Sequence, residues 1–393
     1  MQVVILAAGE GTRMRPLTDE RPKPMLPVAD RPLCAHTADA AVDAGAAELV
    51  FVVGYEAEAV RAYFGETYRG VPVTYAIQEE QLGTAHAVGA AADHLRGDFA
   101  VLNGDDLYDP AGIEALLEGA PAVGTYRVED PRPYGVFAFE GERLAGIEEK
   151  PADPPSNRVN VGAYAFPAEA RDWLDVPESE RGEHELTDVL ARLIDRTSVR
   201  AIPIERWLGV GRPWELLEAN EWKLGELERD VAGDVAASAT LRGSVVVEPG
   251  ATVEPGVVVE GPALLREGAT VGPNAYVRGA TLLAEDTHVG HAVEVKNSVI
   301  MRETNVPHLT YVGDSVLGRR VNLGAGTTVA NLRHDEAPVE LTVKGERVST
   351  GRRKFGIVAG DGARTAIDTS IDAGVTLSSG ARSEPGETVD RDR

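Results

Sequence analysis

Two stretches of this 393-residue chain hold side chains whose types and spacing could do chemistry. The first is Leu6-Ala7-Ala8-Gly9-Glu10-Gly11-Thr12-Arg13, with Arg15, Arg21 and Lys23 close behind. Glycines at 9 and 11 let backbone amides approach phosphate oxygens, and Arg13 and Lys23 can neutralise a triphosphate and the charge that develops as it reacts. A Gly-x-Gly pair is equally the tight turn that leads from a strand into a helix, so the glycines alone leave both readings open. The second stretch surrounds His308, one of eight histidines. Val293-Glu294-Val295-Lys296-Asn297-Ser298, then Pro307-His308-Leu309-Thr310-Tyr311, then Val321-Asn322-Leu323 and Ala330-Asn331 follow in order. A neutral imidazole can accept a proton near neutral pH, and a solitary histidine can equally be a surface or core residue.

The elements that must position these groups differ in texture. Up to about residue 225, short β-branched runs such as 3–9, 48–54, 73–78 and 99–105 alternate with alanine-rich amphipathic segments such as 33–46. Strand–helix alternation predicts a mostly parallel α/β sheet, with ligands at the carboxyl ends of the strands. From about 235 the period becomes six: Val235, Leu241, Val247, Val253, Val259, Leu265, Val271, Val277, Leu283, Val289 and Val295 form an unbroken series. Neither a helix nor a flat strand generates that spacing. A triangular coil does, with each side one short strand and one aliphatic residue pointing inward. The register slips near Met301, resumes at Leu317, Leu323 and Val329, and returns at Ile371 and Leu377 after an inserted loop, 331–354. These textures divide the chain into a domain over 1–229, ending in a linker helix over 213–229, and a β-helix over 230–393.

Charge narrows the setting. The chain has 39 basic and 63 acidic residues, a net charge of −24, and only six lysines. An acidic, lysine-poor surface stays hydrated in high salt, where screening quenches its self-repulsion, so a halophilic cytoplasm is expected; an acidic mesophilic enzyme is the other reading. Nucleic acid and anionic membranes are disfavoured as partners. Cys34 is the single cysteine, which excludes an intrachain disulfide framework and fits a reducing compartment. The apolar N-terminus lacks a charged lead-in and cleavage site and reads as a buried first strand.

The longer string, residues 6–28, resembles the signature of nucleoside-triphosphate sugar-1-phosphate transferases, whose nucleotide domain is Rossmann-like. Gln78-Glu-Glu-Gln-Leu-Gly83-Thr84 is similar to the family's base-reading segment, in which the first glutamine hydrogen-bonds a pyrimidine; it implies UTP or dTTP. The resemblance assigns nucleotide contacts to Leu6, Gly9, Gly11, Thr12, Gln78, Gly83 and Thr84, catalytic charge to Arg13 and Lys23, and a Mg²⁺-binding carboxylate to Asp105. Gly135, Glu149, Lys150 and Asn160 match the sugar-phosphate pocket, with Lys150 on the phosphate. A sugar phosphate oxygen would attack the α-phosphorus in line and pyrophosphate would leave, with positioning and charge neutralisation supplied by the protein. One position departs: where relatives carry a second acidic or amide metal ligand, this chain has Gly209, in Trp207-Leu208-Gly209. Mg²⁺ accepts a single carboxylate with phosphates and water, Asp106 is a neighbouring substitute, and loss of nucleotidyl transfer is the third outcome.

The run around His308 resembles the acetyltransferase half of the bifunctional N-acetylglucosamine-1-phosphate uridylyltransferases and their archaeal sugar-nucleotide relatives. The resemblance implies a left-handed parallel β-helix with acetyl-CoA as co-substrate. His308 would take a proton from a sugar amine as that amine attacks the thioester. Arg278 and Lys296 would hold the sugar's phosphate, Tyr311 and Asn322 the sugar, and Asn331 would lie near the reacting groups. It also implies a homotrimer with acetyl-CoA between subunits. The leading expectation is a bifunctional enzyme acting on glucose-1-phosphate or N-acetylglucosamine-1-phosphate and on an amino-sugar-1-phosphate. A single-activity enzyme and a non-catalytic regulatory nucleotide-binding protein are the alternatives.

Overall fold

The computed structural model describes residues 1–179 and 182–393. The chain divides into two compact units. Met1–Glu10, Arg21–Leu26 and Pro32–Gly209 form the first; Gly11–Glu20, Pro27–Arg31 and Val210–Arg393 form the second.

The first unit is built on a ten-stranded sheet. Phe99–Asn103, Gln2–Ala7, Glu48–Val53 and Val71–Ile77 lie side by side and parallel. Both faces of this half are covered, which explains the continuous apolar runs. Val4, Val50, Val52 and Val101 enter one core, and Val3, Ile5, Phe51, Val53 and Leu102 the other. The expectation of a mostly parallel sheet fails in the other half. Arg158–Phe166 pairs antiparallel with Phe99–Asn103 and with Ala122–Arg127, and Gly135–Glu140 pairs antiparallel with Arg143–Glu149. Only Gly141 and Glu142 separate the last two strands, and so short a link makes a hairpin, since a parallel crossover needs a dozen residues or more.

The second unit carries three parallel sheets, of eight, five and eight strands, each strand two to four residues long. Their inward residues form one core, and the period-six series from Val247 to Val295 lies within it; Val235 and Leu241 pack against it half-buried. Each such aliphatic contributes about 1.5–3 kcal/mol over its exposed state. This is the parallel β-helix that the spacing predicts. The slip near Met301 is milder than the sequence suggests. Ile300, Val306 and Val312 occupy the core in the segment read as out of register. Leu283, Ile300 and Leu317 are partners in successive coils, so two coils have seventeen residues in place of eighteen. The missing residue falls at a corner, where the Ser298 and Ser315 hydroxyls accept from the backbone amides of Ser315 and Ile357 at 3.1 and 3.0 Å.

Three further details differ from the sequence reading. The 331–354 insertion contains a hairpin, Glu340–Val343 with Glu346–Ser349. Its turn residues Lys344 and Gly345 have φ of 52° and 84°, the left-handed pair that suits strand twist. The helix expected over 213–229 is Pro213–Gly225, stopping at a residue of low helix propensity. The irregular C-terminal string continues the coils, with Val389 in the core.

Candidate functional sites

In the first unit the chemistry-bearing residues gather at the carboxyl ends of the parallel strands. Gly104 turns the chain after Phe99–Asn103, and its amide donates to Leu6 O at 2.9 Å. A Cβ there would lie 2.6 Å from that oxygen. The turn presents Asp105, whose carboxylate is ion-paired with Lys23; their side chains are 30% and 15% exposed, so a polyanion can still reach both. Asp106 is buried, accepting from Asn103 Nδ2 at 3.1 Å and the Tyr108 hydroxyl at 3.3 Å. Burial first, and then the Asp105 charge, push its carboxyl up to about 8. Gly209 faces Asp106 across an antiparallel pair, and a Cβ at 209 would lie 3.1 Å from Asp106 Oδ1. The space that a side chain at 209 would enter is thus bounded by a carboxylate already present.

The sugar-pocket residues converge. Gly135 is the register partner of Glu149, and a Cβ at 135 would lie 2.7 Å from Glu149 Oε2 and 3.5 Å from Asn160 Cβ. Strand Arg158–Phe166 bulges between Asn160 and Tyr164, which re-aims Asn160. The Asn160 amide then reaches the Tyr164 hydroxyl at 2.6 Å, and its Oδ1 accepts from Gly162 N at 3.1 Å. Lys150 follows with φ of 48° and is exposed. Gln78 follows strand Val71–Ile77, and with Glu10, Gly54, Tyr55 and Gln81 it borders a cavity of about 520 Å³. Thr84 does structural work, accepting from Leu186 N at 2.9 Å. Gly9 has open space around its Cβ position.

Within the second unit Gly11 has φ of 70°, and Thr12–Met14 form a single 3-10 turn from which Arg13 is exposed. Its β-helix gathers a polar cluster. On one eight-stranded face Arg278, Lys296 and Gly313 are register partners in successive coils, as are Glu294 and Tyr311. Arg278 pairs with Glu294 at 2.8 Å and Lys296 with Asp314 at 2.6 Å. Asp314 is the hub. Its side chain is 4% exposed, and it also accepts from Asn331 Nδ2 at 2.5 Å and Asn297 Nδ2 at 3.0 Å. Asn331 further donates to the Tyr311 hydroxyl at 3.1 Å. Gly313 leaves a notch between them: a Cβ there would overlap the Tyr311 hydroxyl and come within 2.7 Å of Asn331 Nδ2. Asn297 also donates to Glu221, on helix Pro213–Gly225, at 2.8 Å.

Lys296, Tyr311 and Asn331 are therefore brought together, with Arg278 in register beside Lys296. His308 ends strand Asn305–His308 at the adjoining corner, exposed, three residues before Tyr311. Asn322 lies elsewhere, bridged to Asn305 along the five-stranded face. Sequence reasoning missed Asp314, which lies inside the Tyr311-Val312-Gly313-Asp314 string but bears a carboxylate where basic groups were sought.

This combination of nucleotide-fold sheet and hexapeptide coil defines a two-domain transferase. The family described as Nucleotidyl transferase matches residues 2–225, and the GMPPB C-terminal domain matches residues 259–355. The chain is 38% identical to the bifunctional protein GlmU of Methanocaldococcus jannaschii, covering 100% of this chain and 95% of that protein. It is 36% identical to the bifunctional sugar-1-phosphate nucleotidylyltransferase/acetyltransferase of Sulfurisphaera tokodaii, covering 100% and 98%. A solved Bacillus anthracis structure, assigned as a glucose-1-phosphate thymidylyltransferase, is 26% identical with a TM-score of 0.52, over 56% of this chain and 94% of that one. The chain belongs to the nucleotidyl transferase family and, along its full length, to the bifunctional GlmU-type proteins.

Proposed function

We propose that residues 1–229 transfer UMP or dTMP from UTP or dTTP to a sugar-1-phosphate, releasing pyrophosphate, and that residues 230–393 N-acetylate an amino-sugar-1-phosphate with acetyl-CoA. The observation that carries the reading is the Lys296, Tyr311 and Asn331 cluster around buried Asp314, one corner from exposed His308. There His308 takes a proton from the sugar amine, the amine nitrogen bonds to the acetyl carbonyl carbon, and the C–S bond breaks to release CoA thiolate. Arg278 and Lys296 hold the phosphate, and Tyr311 and Asn322 the sugar. Asn322 lies on another face of the coil from Tyr311, which supports a homotrimer whose subunits share each site.

For nucleotidyl transfer, Arg13 and Lys23 neutralise the triphosphate, with Leu6, Gly9, Gly11, Thr12, Gln78, Gly83 and Thr84 around the nucleotide. Gly135, Glu149, Lys150 and Asn160 hold the sugar phosphate. The donor set suits Mg²⁺. Asp105 is a partly exposed hard oxygen donor, and Mg²⁺ needs only one or two carboxylates besides substrate phosphates. Among the described residues no group of three His, Cys, Asp or Glu could hold a metal by itself. When bound, the ion would neutralise phosphate charge. The net charge of −24 with six lysines supports a salt-rich cytoplasmic setting. The test is a pair of assays in high salt across a panel of sugars: pyrophosphate release from UTP or dTTP, and thiol release from acetyl-CoA with glucosamine-1-phosphate. Both products are expected, and absence of either from every sugar removes that activity from the reading.

A further inference from the structure

We propose that His86 is a positioning residue that fixes the orientation of the Gln78 amide and so sets which pyrimidine the first unit accepts; this rests on the nucleotidyl-transfer reading above. Gln78 is 6% exposed. Its Nε2 lies 3.2 Å from Gly83 O and 3.1 Å from His86 Nδ1. A carbonyl oxygen only accepts, so Gly83 requires the amide nitrogen, not its oxygen, to face the turn. The imidazole must then offer a bare Nδ1 and carry its proton on Nε2. Two acceptors thus converge on the two amide hydrogens.

The turn that supplies them is held firmly. Gly83 has φ of 118°, and a side chain there would overlap the His184 backbone. Ala85 N donates to His184 O at 2.9 Å and Leu186 N to Thr84 Oγ1 at 2.9 Å. Among the described residues no donor reaches Gln78 Oε1. The amide is left as a fixed acceptor beside the cavity of about 520 Å³. An acceptor suits the N3–H of uracil or thymine and opposes cytosine, whose N3 is itself an acceptor. Without His86 one amide hydrogen loses its partner, and the penalty for turning the amide to serve cytosine falls.

The test uses full-length protein in high salt, with UTP and CTP compared by equilibrium binding and by pyrophosphate release with glucose-1-phosphate and Mg²⁺. His86→Leu removes the acceptor, and His86→Gln returns one through its side-chain oxygen. One hydrogen bond of this kind corresponds to about tenfold in affinity. His86→Leu should weaken UTP binding by about tenfold and narrow the preference for UTP over CTP by a similar factor, and His86→Gln should restore most of both. A wild-type protein that prefers UTP, with the same ratio in a folded His86→Leu variant, overturns the inference alone. A wild-type protein that binds neither nucleotide overturns the nucleotidyl-transfer reading and the inference with it.

Discussion

The two units present charge in opposite ways. In the first, several site residues are placed by individual backbone irregularities: the Gly104 turn for Asp105, the bulge after Asn160, the left-handed Gly83 before Thr84. In the second, a repeated coil sets side chains in register, so Arg278, Lys296 and Gly313 follow one another as sheet partners, about 4.8 Å apart. A ladder stacks like charges unless carboxylates are interleaved, and Glu294 and Asp314 do this. Hence the β-helix site depends on one buried carboxylate, whereas the strand-end site spreads its dependence over several turns.

Asp314→Ala should break this contrast hardest. It removes the acceptor that the Lys296 ammonium and the Asn297 and Asn331 amides share, a carboxylate that is itself 4% exposed. Loss of about 3 kcal/mol in stability is expected from removing one partner of a buried pair. Acetyl transfer should fall more than about a hundredfold, since Lys296 and Asn331 lose their positions together. Denaturant titration and thiol release check both figures, and retained pyrophosphate release would show that the damage stays in the β-helix. Gly209→Asp should do less. It sets a second carboxylate against Asp106, where even a Cβ would stand 3.1 Å from an oxygen, and overpacking of this kind costs about 1–3 kcal/mol. Pyrophosphate release is expected not to rise; a clear rise would mean that the first unit lacks a ligand that Asp106 does not replace.

The smallest effect is a slope. Burial and the Asp105 charge raise the Asp106 carboxyl to about 8 from an ordinary 3.8. Between those values the unfolded chain has released a proton that the folded chain keeps, so stability of the metal-free protein should decline as pH rises and level off above about 8. Asp106→Asn should flatten that decline in denaturation measured from pH 5 to 9. An equal slope in wild type and variant would place the buried proton elsewhere.

Much of the architecture was legible because periodicity reports burial. The spacing of six marks the β-helix core, and the strand runs mark the parallel half-sheet. The antiparallel pairings of the other half, one a hairpin with a two-residue link and the rest between strands well separated in the chain, leave no comparable period. The same holds for the sites. Lys296, Tyr311 and Asn331 stand in a recognisable string, whereas Asp314 does not stand out along it, because its contacts depend on a corner in the left-handed region, with φ of 51°, and on partners seventeen or eighteen residues away. Asp106 at Gly209 is likewise a cross-strand fact, invisible along the chain.

The central claim is that two transfers use separate residues of one chain. Its most direct test measures pyrophosphate release and thiol release on the same preparations of wild type, Lys23→Ala and His308→Ala. The account predicts that Lys23→Ala loses at least about a hundredfold of pyrophosphate release and keeps thiol release, and that His308→Ala does the reverse. An unchanged thiol-release rate in His308→Ala, or loss of both activities in either folded variant, would contradict it.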